Sequence, residues 1–186
     1  RLSLVGSEMC IRDRDGLSPR ARSLIDLLSV AARPCGLDLL AHALDQPIER
    51  LDAPVGELLT AELARLRQDR ELTTYHDRIR ELAFSRLLDR ELQGFAHALA
   101  SALEARGGDP GERARLWTLA EEPLRAAFAF SDAGDASLAI LAFDRADALY
   151  VRGLEALPAH AADNTAAKVT QLGAQAPSLR THMLTQ

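Results

Sequence analysis

The spacing of apolar residues is the feature that most constrains the fold of this 186-residue chain. Leucine and alanine recur at intervals of three and four residues through most of the sequence, which is the period of an amphipathic helix. Proline or glycine interrupts this pattern at Pro34, at Pro47 and at 107–110, and each interruption favours the end of a helix. Aromatic residues make up only 4% of the chain, which argues against a sheet-rich fold. The sequence therefore predicts a mainly α fold.

Eight helices are predicted from this pattern. The first begins at Ser18–Pro19, because a serine oxygen accepts hydrogen bonds from free amides at a helix start and proline is tolerated at the first helical position. The segment 136–157 has the most strongly amphipathic pattern. The predicted helices cover 19–33, 37–44, 55–62, 77–88, 90–105, 112–120, 124–131 and 136–157.

The segment between the third and fourth predicted helices has two open interpretations. The helix propensity of 61–68 favours a continuation of the third helix. The β-forming residues 72–75 instead favour a strand, within a short β-hairpin over 63–75 that turns at Gln68–Arg70. Periodicity alone does not choose between them.

The charge balance and hydropathy exclude some classes of protein. A net charge of -5 argues against a polybasic arm for nucleic acid. The sequence has no uninterrupted apolar run near the roughly 18 residues that a membrane-spanning helix needs. It also lacks a basic start followed by an apolar core and a small-residue cleavage site. We therefore expect a cytoplasmic protein with no membrane segment.

The N-terminal residues resemble a sequence of artificial origin. Residues 4–14, LVGSEMCIRDR, are similar to the translation of an adapter that is ligated to DNA fragments for sequencing. We therefore interpret 1–14 as not native and expect the natural reading frame to extend upstream of Asp15. Under this interpretation Cys35 is the only native cysteine, which excludes an intramolecular disulfide and favours a buried structural thiol.

The heptapeptide YHDRIRE, Tyr75–Glu81, carries a first family resemblance. It resembles the junction after the winged-helix module of bacterial STAND signalling ATPases, AAA-type P-loop proteins that are often fused to a serine/threonine kinase. The resemblance implies a winged-helix-like module over 15–76, with the hairpin rather than the long helix, and a helical bridge over 77–126.

The segment Leu141–Pro158 carries a second resemblance. It is similar to the second helix of a tetratricopeptide repeat, in which small residues allow two helices to approach and an aromatic side chain fills the groove between them. The resemblance implies one repeat over 127–160, followed by a weakly structured or divergent tail over 161–186. The residues at the packing positions of that repeat are Phe130, Gly134, Ala146, Tyr150, Gly153 and Pro158.

The chain departs from the ATPase family in its chemistry. A phosphate-binding loop ends in Gly-Lys-Ser/Thr, and the only lysine here, Lys168, lies between Ala167 and Val169. The kinase motifs are absent as well. We therefore expect no catalytic, cofactor-binding or metal-binding residue in this chain, and ATP and magnesium are implied only for a missing parent domain.

The sharpest candidate site is the pair His76–Asp77. Adjacent His and Asp occur in metal phosphohydrolases, but His42, His97, His160 and His182 lack the spacing of further ligands. Asp77 is instead predicted to cap the helix that follows it. Together with their neighbours they form a candidate contact with the ATPase domain of the parent protein, and this contact consists of Tyr75, His76, Asp77 and Arg78.

A winged helix also suggests DNA binding. The helix predicted at 55–62 contains two glutamates and no basic residue, so contact with phosphates would be repulsive, although Arg65, Arg67 and Arg70 lie in the predicted hairpin. The sequence thus argues against a nucleic-acid partner. The aromatic residues Trp117, Phe128 and Phe130 are predicted to lie in the core.

These observations lead to a functional expectation. The chain is expected to be a non-catalytic segment that couples an ATPase domain to a repeat surface binding a protein or peptide. A DNA-binding winged-helix regulator and a free-standing helical adaptor are the alternatives.

Overall fold

The computed structural model describes residues 16–67 and 70–157. These residues are mainly helical and include a small three-stranded sheet, as the sequence predicts for the fold class. They form two compact units, of which the first ends at Glu122 and the second begins at Pro123. The adapter-like segment 1–14, Pro158 and the tail predicted at 161–186 lie outside the described residues.

The first unit contains helices α1 to α6 and strands β1 to β3. A short 3₁₀-helix at Ile48–Leu51 leads into α3. In chain order the elements are α1 Pro19–Ala31, β1 Cys35–Gly36, α2 Leu37–Ala43, α3 Asp52–Thr60, β2 Ala64–Leu66, β3 Glu71–Thr74, α4 Asp77–Phe84, α5 Asp89–Ala105 and α6 Pro110–Leu119.

Helix α1 forms the centre of the core of the first unit. It begins where predicted: the Ser18 Oγ accepts a hydrogen bond from the Ala21 N–H at 3.3 Å, and Pro19 lies in the first turn. The helix packs against α3, α4 and α5. Nine of its 13 residues are buried, including Leu24, Leu27 and Leu28, so little of the helix is exposed to solvent.

Residues 63–75 form the hairpin rather than a longer helix. Strand β2 pairs antiparallel with β3, and β1 pairs antiparallel with the other edge of β3, which gives the sheet order β1-β3-β2. Helix α3 ends because Glu62 adopts a positive φ of 52° and the Leu63 N–H bonds to the Leu58 carbonyl at 2.9 Å. Burial of Leu72 and Thr74 on one face of β3 then fixes the register.

Prolines in the first turns of two helices explain two displaced boundaries. Helix α3 begins at Asp52, not at Val55, because Pro54 is accommodated where no intrahelical N–H bond is needed. Helix α6 begins at Pro110, and the Asp109 carboxylate accepts a hydrogen bond from the Glu112 N–H at 2.7 Å. The segment 106–109 thus separates the end of α5 at Ala105 from the start of α6 at Pro110.

The expected role of Asp77 as a helix cap is wrong. His76 occupies the N-cap position of α4 without a side-chain cap, and Asp77 lies in the first turn, where its charge complements the helix dipole. The helix also ends at Phe84 and does not reach Leu88. The Leu88 N–H instead donates to the Glu91 carboxylate at 3.0 Å at the start of α5.

The second unit is a helical hairpin of α7, Pro123–Ala139, and α8, Phe143–Ala156. The predicted break between 131 and 136 is wrong, since α7 continues through it, and the predicted helix 136–157 is divided instead at 140–142. Leu141 adopts a φ of 60°, and the Ala142 N–H closes the end of α7 by bonding to the Ser137 carbonyl at 2.9 Å.

The three aromatic residues assigned to the core have different environments. Trp117 and Phe130 are buried, as predicted, but Phe128 is 73% exposed. Residues two apart on a helix point to different sides, so Phe128 and Phe130 cannot share one face of α7.

Candidate functional site

Close packing between α7 and α8 depends on two glycines. A Cβ atom on Gly134 would lie 2.5 Å from the Tyr150 Cε1, so the absence of a side chain lets the tyrosine ring lie directly on α7. A Cβ atom on Gly153 would lie 3.3 Å from both the Ala127 carbonyl oxygen and the Phe130 Cβ. The described residues assigned to repeat packing are therefore placed along this helix contact, where Ala146 is also buried.

Tyr150 and Asp135 form a polar bond beside this packing. The Tyr150 hydroxyl donates to the Asp135 carboxylate at 2.5 Å, and this bond is the main reason why the pKa of Tyr150 is raised. On the neighbouring side, the Arg152 guanidinium lies 4.5 Å from the centre of the Phe130 ring. No pattern in the sequence indicated either contact, although the aspartate follows directly after Gly134.

Large apolar side chains are exposed on one side of the α7–α8 hairpin. On each of the two helices, the exposed apolar side chains fall within an arc of about 80° around the helix axis. Each helix therefore has one apolar stripe. Tyr150 reaches across Gly134 to Asp135 and so connects the two stripes. We call the following residues the apolar face: Leu124, Phe128, Leu138, Phe143, Val151 and Leu154.

The candidate interdomain residues Tyr75, His76, Asp77 and Arg78 lie together at the junction of β3 and α4, and all four are exposed. The Tyr75 N–H donates to the Leu63 carbonyl at 3.0 Å, which ties the junction to the start of the hairpin. The Tyr75 and His76 rings meet edge to face with centroids 4.7 Å apart. Arg78 pairs with Glu81 at 3.8 Å, so the junction presents aromatic and charged groups side by side.

The described histidines do not converge on His76 and Asp77. His97 lies 3.8 Å from the Glu122 carboxylate and edge to face with Trp117, at 5.1 Å between ring centroids. Within 16–67 and 70–157, no group of three or more His, Cys, Asp or Glu side chains is placed to hold a metal ion. His160 and His182 lie outside these ranges.

A polar cluster that the sequence did not reveal joins α1 to α6. The Arg115 guanidinium donates to the Val30 carbonyl at 2.7 Å and to the Ala31 carbonyl at 3.1 Å, at the C-terminal end of α1. It also pairs with the buried Glu112 carboxylate at 2.6 Å. Nearby, burial is the main cause that raises the pKa of the Cys35 thiol to about 12, which leaves it a poor nucleophile.

Exposed charges around the hairpin of the first unit have opposite signs on neighbouring elements. Arg65, Arg67 and Arg70 are exposed in the hairpin β2–β3. Helix α3 carries Asp52 and Glu57, and the Glu57 carboxylate accepts a hydrogen bond from the Ser18 N–H at 2.9 Å. Contact with the phosphates of a nucleic acid is thus favourable at the hairpin and unfavourable along α3.

The chain matched no protein-family model, no curated protein and no solved structure. None of the helices in the described part of the chain combines the length and the apolar character that crossing a membrane requires.

Proposed function

We propose that this chain is a non-catalytic regulatory and protein–protein interaction segment of a larger, nucleotide-dependent signalling protein. It couples an ATPase domain, linked in many such proteins to a serine/threonine kinase, to a repeat-built surface that binds a protein or peptide. The α7–α8 hairpin is the observation that carries this proposal, because its packing leaves six large apolar side chains exposed on one side.

The packing of this hairpin supports a tetratricopeptide-like repeat at 127–160. In such a repeat the first helix offers a small residue on which an aromatic residue of the second helix lies, and Gly134 and Tyr150 have this relation. A single repeat leaves apolar surface that a neighbouring repeat or a partner covers.

The order of elements over 15–76 supports a winged-helix-like module. The described part runs from one helix to a short strand, two further helices and a β-hairpin, and the short strand pairs with the second strand of the hairpin. In this proposal 77–126 bridges the module to the repeat, and the exposed residues from Tyr75 to Arg78 contact the ATPase domain of the parent.

The residues of this chain do not fit a nucleotide site. The sequence has no glycine-rich phosphate loop, and its single lysine, Lys168, is not preceded by glycine. ATP and magnesium therefore belong to the parent domain in this proposal. A cytoplasmic location agrees with Cys35 remaining a buried thiol.

Sequencing the source DNA upstream of the Asp15 codon tests this proposal directly. A long read is expected to continue in frame into a phosphate loop, with or without a kinase domain, and to lack the codons for residues 4–14. An authentic start codon close to Asp15 would contradict the ATPase proposal, and the chain would then be a free-standing helical adaptor.

The exposed arginines Arg65, Arg67 and Arg70 favour one second candidate, a DNA-binding winged-helix regulator. Fluorescence anisotropy with labelled duplex DNA distinguishes the two functions. The proposed interaction function predicts no binding at physiological salt, because the acidic helix α3 repels phosphates. Salt-sensitive binding that is lost on changing the three arginines to glutamine would support DNA binding instead.

A further inference from the structure

We propose that the apolar face of α7–α8 binds a basic amphipathic helix of a partner polypeptide. This inference rests on the proposed interaction function and names the class of partner. The shape of the face and the sign of the charges around it both favour such a partner.

The apolar face has the extent that a helix can cover. Phe128 on α7 and Leu154 on α8 are 73% and 60% exposed, and Phe143 near the turn is 62% exposed. The two stripes run side by side along antiparallel helices, with the Tyr150 ring lying across α7 between them. An amphipathic helix binds to such a surface through apolar residues at positions i, i+3, i+4 and i+7.

The charges on this side of the hairpin are all acidic among the described residues 123–157. Asp135 lies within the stripe of α7. Asp147 lies within the stripe of α8, and Asp144 lies at the border of that stripe. Each of the three is within about 60° of the centre of its stripe. The arginines of the same segment, Arg125, Arg145 and Arg152, lie about 100° or more from those centres. A partner with lysine or arginine beside its apolar stripe complements this pattern.

The same charges disfavour a second copy of this chain as the occupant. Two apolar faces in contact would bring Asp144 and Asp147 of both copies into one interface. Like charges placed together at an interface oppose association. A basic helix instead forms ion pairs with these carboxylates while it covers Phe128 and Leu154.

Binding of synthetic peptides to the full chain tests the inference. The probe is a fluorescent amphipathic helix with leucines at i, i+3, i+4 and i+7 flanked by lysines, and its matched control has glutamates in place of the lysines. We expect the basic peptide to bind at least about fivefold more tightly, because each of the exposed ion pairs with Asp144 and Asp147 contributes roughly twofold to fivefold. Higher salt should reduce the difference.

Variants assign the binding to the apolar face. The double variant Phe128→Ser/Leu154→Ser is expected to weaken binding of the basic peptide by about tenfold or more, since two exposed apolar contacts are removed. Asp147→Asn should weaken it by about twofold to threefold. Leu88→Ser and Glu49→Gln, which change an exposed apolar and an exposed acidic residue of the first unit, are the matched controls and should leave binding unchanged.

Three outcomes would overturn the inference. Equal binding of both peptides, lost in the Phe128→Ser/Leu154→Ser variant, would reject the basic partner but retain an interaction surface. If neither peptide binds to a folded chain, both the basic partner and the interaction surface are rejected. A dimer in sedimentation that becomes a monomer in the same variant would show that a second copy occupies the face.

Discussion

Gly134 shows how one missing side chain organises the second unit. The glycine lies in the middle of α7, where alanine would favour the helix, yet a Cβ atom would overlap the Tyr150 ring. Glycine is therefore required by packing rather than by backbone conformation. The helix gives up a small amount of propensity so that the ring can lie on its backbone and reach Asp135.

Substitution of this glycine should destabilise the second unit. Gly134→Ala gains about 1 kcal/mol in helix propensity but forces the Tyr150 ring away, at a cost of about 1–3 kcal/mol and the loss of its bond to Asp135. The matched control is Gly94→Ala in α5, where a Cβ atom meets nothing within 4 Å, and this change should raise stability by about 0.5–1 kcal/mol. Urea unfolding followed by far-UV circular dichroism measures both, and a stabilising effect of Gly134→Ala would refute the packing argument.

The bond between Tyr150 and Asp135 should make stability depend on pH in the alkaline range. The bond favours the neutral phenol, so the pKa of Tyr150 in the folded chain lies above its ordinary value of 10.0. Its stabilising contribution is complete below pH 10 and is lost as the pH rises through the raised pKa. Tyr150→Phe, which keeps the ring, should show less loss of stability above pH 10 in thermal melts. Identical pH profiles of the two proteins would contradict this.

At the scale of elements, helices were predicted best where their signals were local. Ser18 and Pro19 start α1 as expected, because a cap and an N1 proline act within one turn. Periodicity missed the division of α7 and α8 because the break at Leu141 contains neither proline nor glycine, whereas the repeat resemblance began its second helix at Leu141. The pairing of β1 with β3 depends on contacts between Cys35 and Leu72, which no local pattern reveals.

The contact between α1 and α6 was equally inaccessible to sequence reasoning. Arg115 reaches the last carbonyls of a helix that ends more than eighty residues earlier, and only the folded chain brings them together. The last carbonyls of a helix have no partner within the helix. A guanidinium therefore replaces the water or the basic residue of the same helix that often satisfies them.

Removal of this guanidinium should destabilise the first unit. Arg115→Met keeps much of the side-chain volume but leaves the buried Glu112 carboxylate and the α1 carbonyls without these bonds, at a cost of about 1–3 kcal/mol. Arg78→Met is the control, because its pair with Glu81 is exposed and contributes about 0.5 kcal/mol or less. Equal losses in urea unfolding of the two variants would show that the Arg115 cluster is no stronger than a surface pair.

At the scale of the whole molecule, the helical class followed from periodicity, and the sequence was divided at 76 and at 126, whereas the joining of 16–122 into one compact unit depends on contacts that no local pattern reveals. The unit boundary falls between Glu122 and Pro123, after Glu121 adopts a positive φ of 55°. The candidate interdomain residues could be selected from the sequence through a resemblance. The exposure of these residues could not be predicted from the sequence, because it depends on how β3 and α4 meet.

Under the proposed function the exposed junction contacts an ATPase domain, which leads to a prediction for the larger protein. Changing Tyr75, His76 and Arg78 together to alanine should alter nucleotide affinity or resting activity by about fivefold or more, as for the loss of a few interface contacts. Arg50→Ala, an exposed arginine in the 3₁₀-helix, is the control. Nucleotide binding measured by calorimetry and resting turnover are the readouts, and unchanged values for the triple variant would reject the interdomain contact.

The buried Trp117 is an intrinsic fluorescent probe of folding. Trp117 is the only tryptophan of the chain and lies in the first unit, so intrinsic tryptophan emission reports on that unit alone. The helices α7 and α8 contribute to circular dichroism but contain no tryptophan. A single thermal melt followed by both tryptophan emission and circular dichroism would therefore distinguish the unfolding of the two units without any added dye. Coincident curves would mean that the two units unfold as one cooperative body.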